Sequence, residues 1–270
     1  MRSRDRKGDS LEQSADRANG RFPALSLVIP AYNEAHRIAS TLHEVLTKVP
    51  IAFPHTEIIL VDDGSSDETL RLATGVAVSQ PRVQVIAIPH GGKAAAVRAG
   101  MLAATGDLIV FSDADLATPL THLIDLALAI ERGCDIAIGS REGIGAHRIG
   151  EPAYRHVMGR GFNWLVRLIA LPGLSDTQCG FKMFRRDAAR EILSRTLLYP
   201  DGARTISGPR VTAFDVELLV IARRLSYRTC SVPVTWRYGS QSKVDPARDT
   251  WHNLLDVLKV RYHDLRGRYR

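Results

Sequence analysis

From Leu25 onward the chain alternates short β-branched runs with stretches of helical period: LSLVIP at 25, EIILV at 57, VQVIAI at 83, DLIVF at 107 and DIAIG at 135. A parallel neighbour can be reached only by a crossover, usually a helix, so this alternation reads as repeated β-α units. The fold class is α/β, with a Rossmann-like, mostly parallel sheet flanked by helices. Ser65 and Glu68 have the spacing of a capping box, and Thr118 followed by Pro119 reads as an N-cap and first helical residue. Gly106 and Gly133 stand where helices should end. After Ser140 the alternation stops. The remainder is expected to be helical with long irregular connections, packed on the sheet edge and over the carboxyl ends of the strands, where open α/β sheets bind ligands. There Phe214, Leu218, Ile221 and Leu225 share one helical face with Glu217, an inward carboxylate that needs a partner. The final segment aligns Trp251, Leu254, Leu255, Leu258, Tyr262 and Leu265 on one stripe, with basic residues largely elsewhere. Residues 1–22 mix charges with Ser, Gly, Asn and Gln and show no apolar period, so they read as a disordered tail, and 23–270 as a single domain.

At 270 residues, 45% hydrophobic and 24% charged, the chain can bury a full core unaided and is too apolar to be disordered throughout. No apolar run approaches the roughly 18 residues of a spanning helix, and the N-terminus lacks the apolar core of a secretory signal, so neither export nor membrane crossing is expected. Cys134, Cys179 and Cys230 are odd in number and far apart, which argues against a disulfide framework and a clustered zinc site and points to a reducing, cytosolic setting. A formal charge of +7 suggests an anionic partner, whether nucleic acid, an anionic lipid surface or a phosphorylated substrate. Both basic patches lie in the second half: five Arg against two Glu from Arg141 to Arg167, and five basic residues against two Asp in the last twenty positions.

No G-x-G-x-x-G succeeds the first strand, and Gly92-Lys93 is followed by Ala94 without the upstream Gly of a P-loop, which weakens dehydrogenase and P-loop readings. The strands end instead in acidic residues. Asp113 and Asp115 lie two apart in a segment read as extended, where they would share a face and could hold one hard cation, magnesium or manganese, whose open positions suit phosphate oxygens. A pair of turn or capping Asp residues is the alternative. Asp62 and Asp63 could accept hydrogen bonds from a base or ribose, or form a polar turn into the next helix. Lys93, at a helix start after Gly91-Gly92, could add charge to N-terminal amides at a phosphate site, or be a solvated lysine.

These residues carry a family resemblance. VIPAYNEAHRI (28–38), VDDGSSDET (61–69), GGKAAAVRAGM (91–101), FSDADLATP (111–119), GSR (139–141), DTQCGFKMF (176–184), FDVELL (214–219) and the Gly-Ser-Gln-Ser-Lys run ending at Lys243 occur in order. Over roughly 24–265 they resemble family 2 glycosyltransferases of the GT-A fold. DTQCGFK, FDVE and the late Ser-Lys most resemble the dolichyl-phosphate glucosyltransferase group, related to polyprenyl-phosphate mannose synthases, which move one sugar from a nucleotide donor to a polyprenyl phosphate. The resemblance implies a nucleotide-sugar-binding half at 23–140 and an acceptor-binding half at 141–270. By it Pro30, Tyr32, Glu34 and Asp63 lie around the base, Asp62 and Lys93 near the donor, and Asp113 and Asp115 around the ribose and metal. Arg141 and Arg155 match by spacing the arginines that hold the acceptor phosphate. Asp176, Gln178, Asp215, Glu217 and Lys243 receive a general place near the donor sugar and acceptor. The chain departs from the mannose synthases at Gly159, where they have a serine, and at Ala117, where they have a glutamine metal ligand. Subgroup similarity favours UDP-glucose over GDP-mannose.

A phosphate monoester has a second pKa of about 6 and is already a competent nucleophile at neutral pH, so no general base is required. The protein must hold two anions in line across the anomeric carbon, which makes positioning and charge neutralisation the main work and displacement with inversion the expected course. A hydroxyl acceptor would instead need a base, with Asp215 or Glu217 as candidates. The expected location is peripheral, on the cytoplasmic face of a membrane, contacted through the basic amphipathic C-terminal helix. Competing readings are a soluble glycosyltransferase with a small acceptor and a non-enzymatic nucleotide-sugar-binding protein. A nucleic-acid partner rests on charge alone and is not expected.

Overall fold

The computed structural model describes residues 22–198, 213–239 and 246–269. Residues 1–21 of the expected tail (1–22) and Lys243 lie outside the described residues, while Phe22, the last tail residue, is corrected to core, for it is buried and stacks on Phe53 with ring centroids 5.0 Å apart. In chain order the elements are β1 (Leu25–Ala31), α1 (Ile38–Ala52), β2 (Thr56–Asp62), α2 (Thr69–Ser79), β3 (Val83–Ala87), α3 (Lys93–Ala103), β4 (Leu108–Ser112), α4 (His122–Glu131) and β5 (Ile136–Ser140). They are followed by β6 (His147–Ile149), α5 (Ala153–Ile169), β7 (Phe181–Arg185), α6 (Arg186–Leu193), α7 (Phe214–Arg224), β8 (Thr229–Pro233), β9 (Thr235–Arg237) and α8 (Pro246–Leu265).

The first five strands and their crossovers are those read from the alternation. Among the described residues they enter a seven-stranded sheet ordered β3-β2-β1-β4-β7-β5-β8. Its pairings are parallel except at β7, which runs antiparallel to both β4 and β5. β1, β4 and β5 are buried along their whole length, as strands covered on both faces must be. Successive side chains alternate between two core layers. Val28 and Val61 pack with Val97 and Met101 of α3, while Leu27, Ile29 and Leu60 pack with Leu42 and Val45 of α1. The sheet order reverses between β1 and β4, which opens a crevice at their carboxyl ends. Pro30 widens it. The Ala31 carbonyl accepts from Asp63 N–H on the β2 side, so Pro30 faces β4 without an N–H to donate, and the β1–β4 ladder ends at Val28↔Phe111.

Several expectations need correction. The second half is not simply helical, for Phe181–Arg185 forms β7, with Lys182 buried beside Phe111 and Ile138, and a two-stranded β6–β9 sheet stands apart. The Ser65–Glu68 capping box does not form. α2 begins at Thr69, whose N–H and hydroxyl both bond to Asp67 Oδ1, while Ser65 Oγ accepts from Asn33 N–H. Likewise α4 starts at His122, because Pro119 enters a turn first. Cys134 and Cys230 are disulfide-bonded across 96 residues with Cα atoms 6.1 Å apart, which removes the cysteine-based reason for a reducing compartment; Cys179 is free and buried. Sequence distance misled here, because the parallel register pairs Ile136 with Thr229 and brings the starts of β5 and β8 side by side.

A further correction concerns the C-terminal stripe. Trp251, Leu258, Tyr262 and Leu265 are 47–67% exposed, whereas Asn253, Asp256, Val257, Val260 and Asp264 are buried. Only Leu254 of the expected stripe packs against the core. α8 rests on α5 and α7, and α5 carries its own outward stripe, Tyr154, Val157, Met158, Trp164 and Leu168. Among the described residues no helix is long and apolar enough to cross a membrane.

Candidate active site

The loops after β1, β2, β3 and β4 converge at the crevice. Asp63 holds the third of these loops in place: its carboxylate accepts from Gly91 N–H at 2.8 Å, Gly92 N–H at 2.9 Å and His90 Nδ1 at 2.8 Å. Burial pushes the Asp63 carboxyl up, and those hydrogen bonds offset only part of the shift. Gly92 has φ of +88°, a conformation few other residues adopt, and delivers Lys93 as the first residue of α3. Asp62 is engaged differently. It is 1% exposed, its Oδ2 accepts from Ser65 N–H, and its Oδ1 has no hydrogen-bond partner among the described residues. A buried carboxylate oxygen left so is costly, and a hydroxyl or imide N–H of a ligand would satisfy it. Beside it Tyr32 stacks on the His90 ring, centroids 4.0 Å apart, giving an aromatic wall. Glu34 turns away to Arg37, 2.9 Å distant, and its N–H donates to Thr69 Oγ1. Pro30 acts through the backbone, by the donor it lacks.

Asp113, Ala114 and Asp115 form a turn and not the extended segment expected, closed by Leu116 N–H on the Asp113 carbonyl at 3.0 Å. The turn forces Leu116 to φ of +48°, a strained conformation for a branched residue and one typical of functional loops. The two carboxylates still feel each other: burial and then the Asp113 charge raise the Asp115 carboxyl above its ordinary range. Lys93 Nζ pairs with Asp113 Oδ1. Burial alone would lower the Lys93 ammonium, but the attraction of Asp113, Asp215 and Asp115 more than reverses it, so Lys93 stays charged. Gly180 borders this pair. A Cβ there would collide with Asp113 Oδ2 and stand 2.9 Å from Lys93 Nζ, so any side chain at 180 would push these two ends out of the arrangement seen. Two oxygen-donor carboxylates around a position where a lysine ammonium already stands in as a cation fit a hard divalent metal.

Behind Lys93 lies a second acid–base pair. Lys182, fully buried on β7, donates to Asp215 Oδ1 and to the Cys179 carbonyl, both at 2.5 Å, with its ammonium 5.4 Å from the Phe111 ring centroid. Asp215 lies in the first turn of α7, near enough to the crevice for its charge to act on Lys93. Glu217, two residues on, points elsewhere. It is fully buried, accepts from Leu197 and Leu198 N–H and from Tyr269 Oη at 2.9 Å, and braces the chain end against α7. Its hydrogen-bond partners are therefore backbone and a tyrosine, with Arg98 acting only as a charge farther off, and burial raises its carboxyl.

After β5, Asp176 takes the guanidinium of Arg141 in a fork, Nε at 2.7 Å and Nη2 at 2.8 Å, and also accepts Arg141 N–H at 2.9 Å. Burial opposes ionisation of Asp176, but Arg141 overrides it and holds the carboxyl far below its usual range. Arg141 thus spends its bidentate face inside the protein. Gln178 N–H adds to Asp176 Oδ1 at 3.3 Å. Arg141 lies over the Trp236 ring, Trp236 touches Tyr238, and Arg155 lies over Tyr238, an interleaved ladder with cation-to-ring distances of 5.4 Å. Arg237 N–H bonds to the Ala117 carbonyl at 2.8 Å, and a Cβ at Gly239 would stand 3.7 Å from Asp115 Oδ2, so this ladder ends beside the acidic turn. An open groove of about 320 Å³ runs from Asp115 and Gly239 along Arg37, Thr41 and Glu44 of α1.

The structure thus gathers Asp62, Asp63, Tyr32, Lys93, Asp113, Asp115 and Asp215 at one crevice and Arg155 at its rim, and it separates Glu217 from them. Sequence reasoning missed His90, Gly180, Lys182, Trp236 and Tyr238. Lys182 sits in an otherwise apolar run, and Trp236 and Tyr238 have the two-residue spacing of a shared strand face, signals that could have found them.

Residues 26–193 match the family described as Glycosyl transferase family 2. The chain is 37% identical to a dolichyl-phosphate beta-glucosyltransferase of Drosophila melanogaster, covering 82% of this chain and 69% of that protein. It is 33% identical to the human protein of that name, covering 91% and 77%. A third so named, from Trichomonas vaginalis, is 35% identical over 81% of this chain, which spans 65% of that relative's length. In fold the chain is similar to glucosyl-3-phosphoglycerate synthase from Mycobacterium tuberculosis in complex with Mn2+, uridine-diphosphate and its product, with TM-score 0.62, 19% identity and coverage of 96% and 86%. It is also similar to a mannosyltransferase from Pyrobaculum calidifontis in complex with GDP-Man and Mn2+, with TM-score 0.53, 17% identity and coverage of 87% and 70%. A crevice of acidic turns at a Rossmann-like switch point, together with these similarities, makes the chain a member of glycosyl transferase family 2.

Proposed function

We propose that the protein transfers glucose from UDP-glucose to a polyprenyl phosphate of the dolichyl type, with inversion, giving a β-linked lipid-phosphate sugar. The observation that carries this reading is the juxtaposition of the Asp113–Asp115–Lys93 cluster with Arg155 at the rim. One site accommodates a diphosphate and the other a phosphate monoester. The relatives named as dolichyl-phosphate beta-glucosyltransferases support glucose and the lipid acceptor.

Asp113 and Asp115 would hold a divalent cation, which when bound neutralises charge on the departing diphosphate. Lys93 adds its ammonium to the same phosphates. Asp62 Oδ1 accepts from the ribose or base, and the Tyr32–His90 wall shields the nucleoside from water. Arg155, its guanidinium backed by Tyr238, presents charge to the acceptor phosphate, while Arg141 serves the acceptor side by fixing the Asp176 loop. The phosphate oxygen attacks the anomeric carbon as the bond to the diphosphate breaks. Its competence as a nucleophile leaves no proton for Asp215 to remove, and Lys182 already occupies Asp215 Oδ1.

The lipid arrives from a membrane surface. The exposed stripes of α5 and α8, flanked by exposed Arg160, Arg167, Lys259 and Arg266, support peripheral attachment, with apolar side chains entering the interface and cations meeting anionic lipid. The cytoplasmic face is part of this proposal and draws no support from the cysteines.

The test is a panel of radiolabelled nucleotide sugars incubated with polyprenyl phosphate and manganese or magnesium. The expected outcome is an organic-extractable product from UDP-glucose, reduced at least about 100-fold by Asp115→Ala and by Arg155→Ala. A water-soluble product would move the acceptor to a small molecule, and full activity in both variants would overturn the site.

A further inference from the structure

We propose that Lys93 is a built-in counter-cation that occupies Asp113 until a nucleotide diphosphate draws it away, so that a divalent metal binds tightly only together with the donor. This rests on the reading of Asp113 and Asp115 as the metal pair, and it adds an order of events to that reading.

The ammonium and a metal ion would compete for the same carboxylate. Lys93 Nζ pairs with Asp113 Oδ1, one of the four oxygens the two aspartates can offer. The backbone beneath the lysine is fixed, because Gly91 and Gly92 are bound to Asp63, so the ammonium reaches the carboxylate from a set base. On one side the pair is closed by the Gly180 backbone, which leaves no room there even for a methyl group. It remains open toward the crevice, since both side chains are about 40% exposed, and that is the direction from which a diphosphate would come. Among the described residues no third carboxylate, imidazole or thiolate completes a metal cluster with Asp113 and Asp115. A metal arriving alone therefore meets a half-neutralised pair and the repulsion of the ammonium still paired with it, two penalties of the same sign.

The diphosphate removes both. Its oxygens offer Lys93 a stronger anion than Asp113 and supply the metal with ligands that are missing among the described residues. Lys182 cannot substitute as the mobile cation. It is fully buried and bound to Asp215 and the Cys179 carbonyl, so only Lys93 among these two has a path to the ligand.

The test measures Mn2+ affinity of the full chain from the free-ion electron paramagnetic resonance signal, with and without UDP. Native protein should bind Mn2+ weakly alone and much more tightly with UDP. Lys93→Met should bind Mn2+ alone about tenfold more tightly than native protein, with a correspondingly smaller gain on adding UDP. Lys93→Gln, shorter and polar but uncharged, should behave the same way, and Lys93→Arg should resemble native protein. If UDP tightens Mn2+ binding equally in native protein, Lys93→Met and Lys93→Gln, with no gain for the metal alone, the counter-cation is refuted while the donor site stands. If UDP fails to tighten Mn2+ binding in native protein, the nucleotide-sugar reading falls with it.

Discussion

Arg141 and Asp176 make the most consequential side-chain pair outside the crevice, because Asp176 is wholly buried and, among the described residues, has no other cation at hydrogen-bond distance. Removing one charge of such a pair leaves the other stranded, a loss of about 3 kcal/mol. Asp176→Asn should therefore lower unfolding free energy by roughly that amount, measured by denaturant titration at pH 7. The sign of the pH dependence is set by the depressed carboxyl. The unfolded chain takes up the proton near the ordinary aspartate value of 3.8, the folded chain only well below it, so the stabilisation is complete above that value and drains away as pH falls. Native protein should lose stability steeply below about pH 4, and the variant should lack this component. At this scale much was legible. Asp113, Asp115, Asp63 and Lys93 announce themselves by type and by their places after strands. How each carboxylate is spent could not be read: Asp63 on the Gly91-Gly92 amides, Asp176 on Arg141, Glu217 on the Leu197–Leu198 amides and Tyr269. Those partners are far away in sequence, and hydrogen bonds to backbone leave no trace in residue type.

Helix α8 shows why a period alone does not assign a face. Its apolar positions were legible, but the same 3.6-residue spacing serves a helix docked on a core and one presented to lipid. Burial decides the matter. The inner side is held by Val257 and Val260 together with ion pairs, Asp264 with Arg224 and Arg261 and Asp256 with Lys259, so a polar, charge-paired face is the one turned inward. The outer side, Trp251, Leu258 and Leu265, joins Val157, Trp164 and Leu168 of α5 as apolar surface without a partner among the described residues. Inserting one such side chain into a bilayer interface contributes about 2 kcal/mol, hence roughly a 30-fold change in partition. Trp164→Glu and Leu258→Glu should each weaken co-sedimentation with anionic phospholipid vesicles to about that extent. Thermal stability should hardly move, since neither residue is buried. Unchanged sedimentation in the double variant would reject these stripes as the lipid-facing surface.

At the scale of the molecule, the parallel units were legible because each strand and its crossover are local, and β7 was not, because its place depends on partners far away. An antiparallel strand between β4 and β5 arrives long after β4 ends, carries a lysine in its interior and is buried because α4 covers one of its faces and α6 the other. The Cys134–Cys230 bond belongs to the same long-range order. It fastens edge strand β8 at the amino-terminal ends of the strands, opposite the crevice, and closes a loop of 96 residues. Closing a loop of that size restricts the unfolded chain by about 4 kcal/mol. Reduction, or Cys134→Ser, should therefore lower the unfolding free energy by roughly 4 kcal/mol in denaturant titration and shift the melting temperature down by about 10 °C. Sugar transfer assayed well below that temperature should be unaffected, because the catalytic loops hang from the other ends of β1, β2 and β4. Loss of transfer under reducing conditions without loss of the folded state would mean that strain at the sheet edge reaches the crevice, and equal stability of oxidised and reduced protein would mean that the rest of the sheet already holds β8 in register.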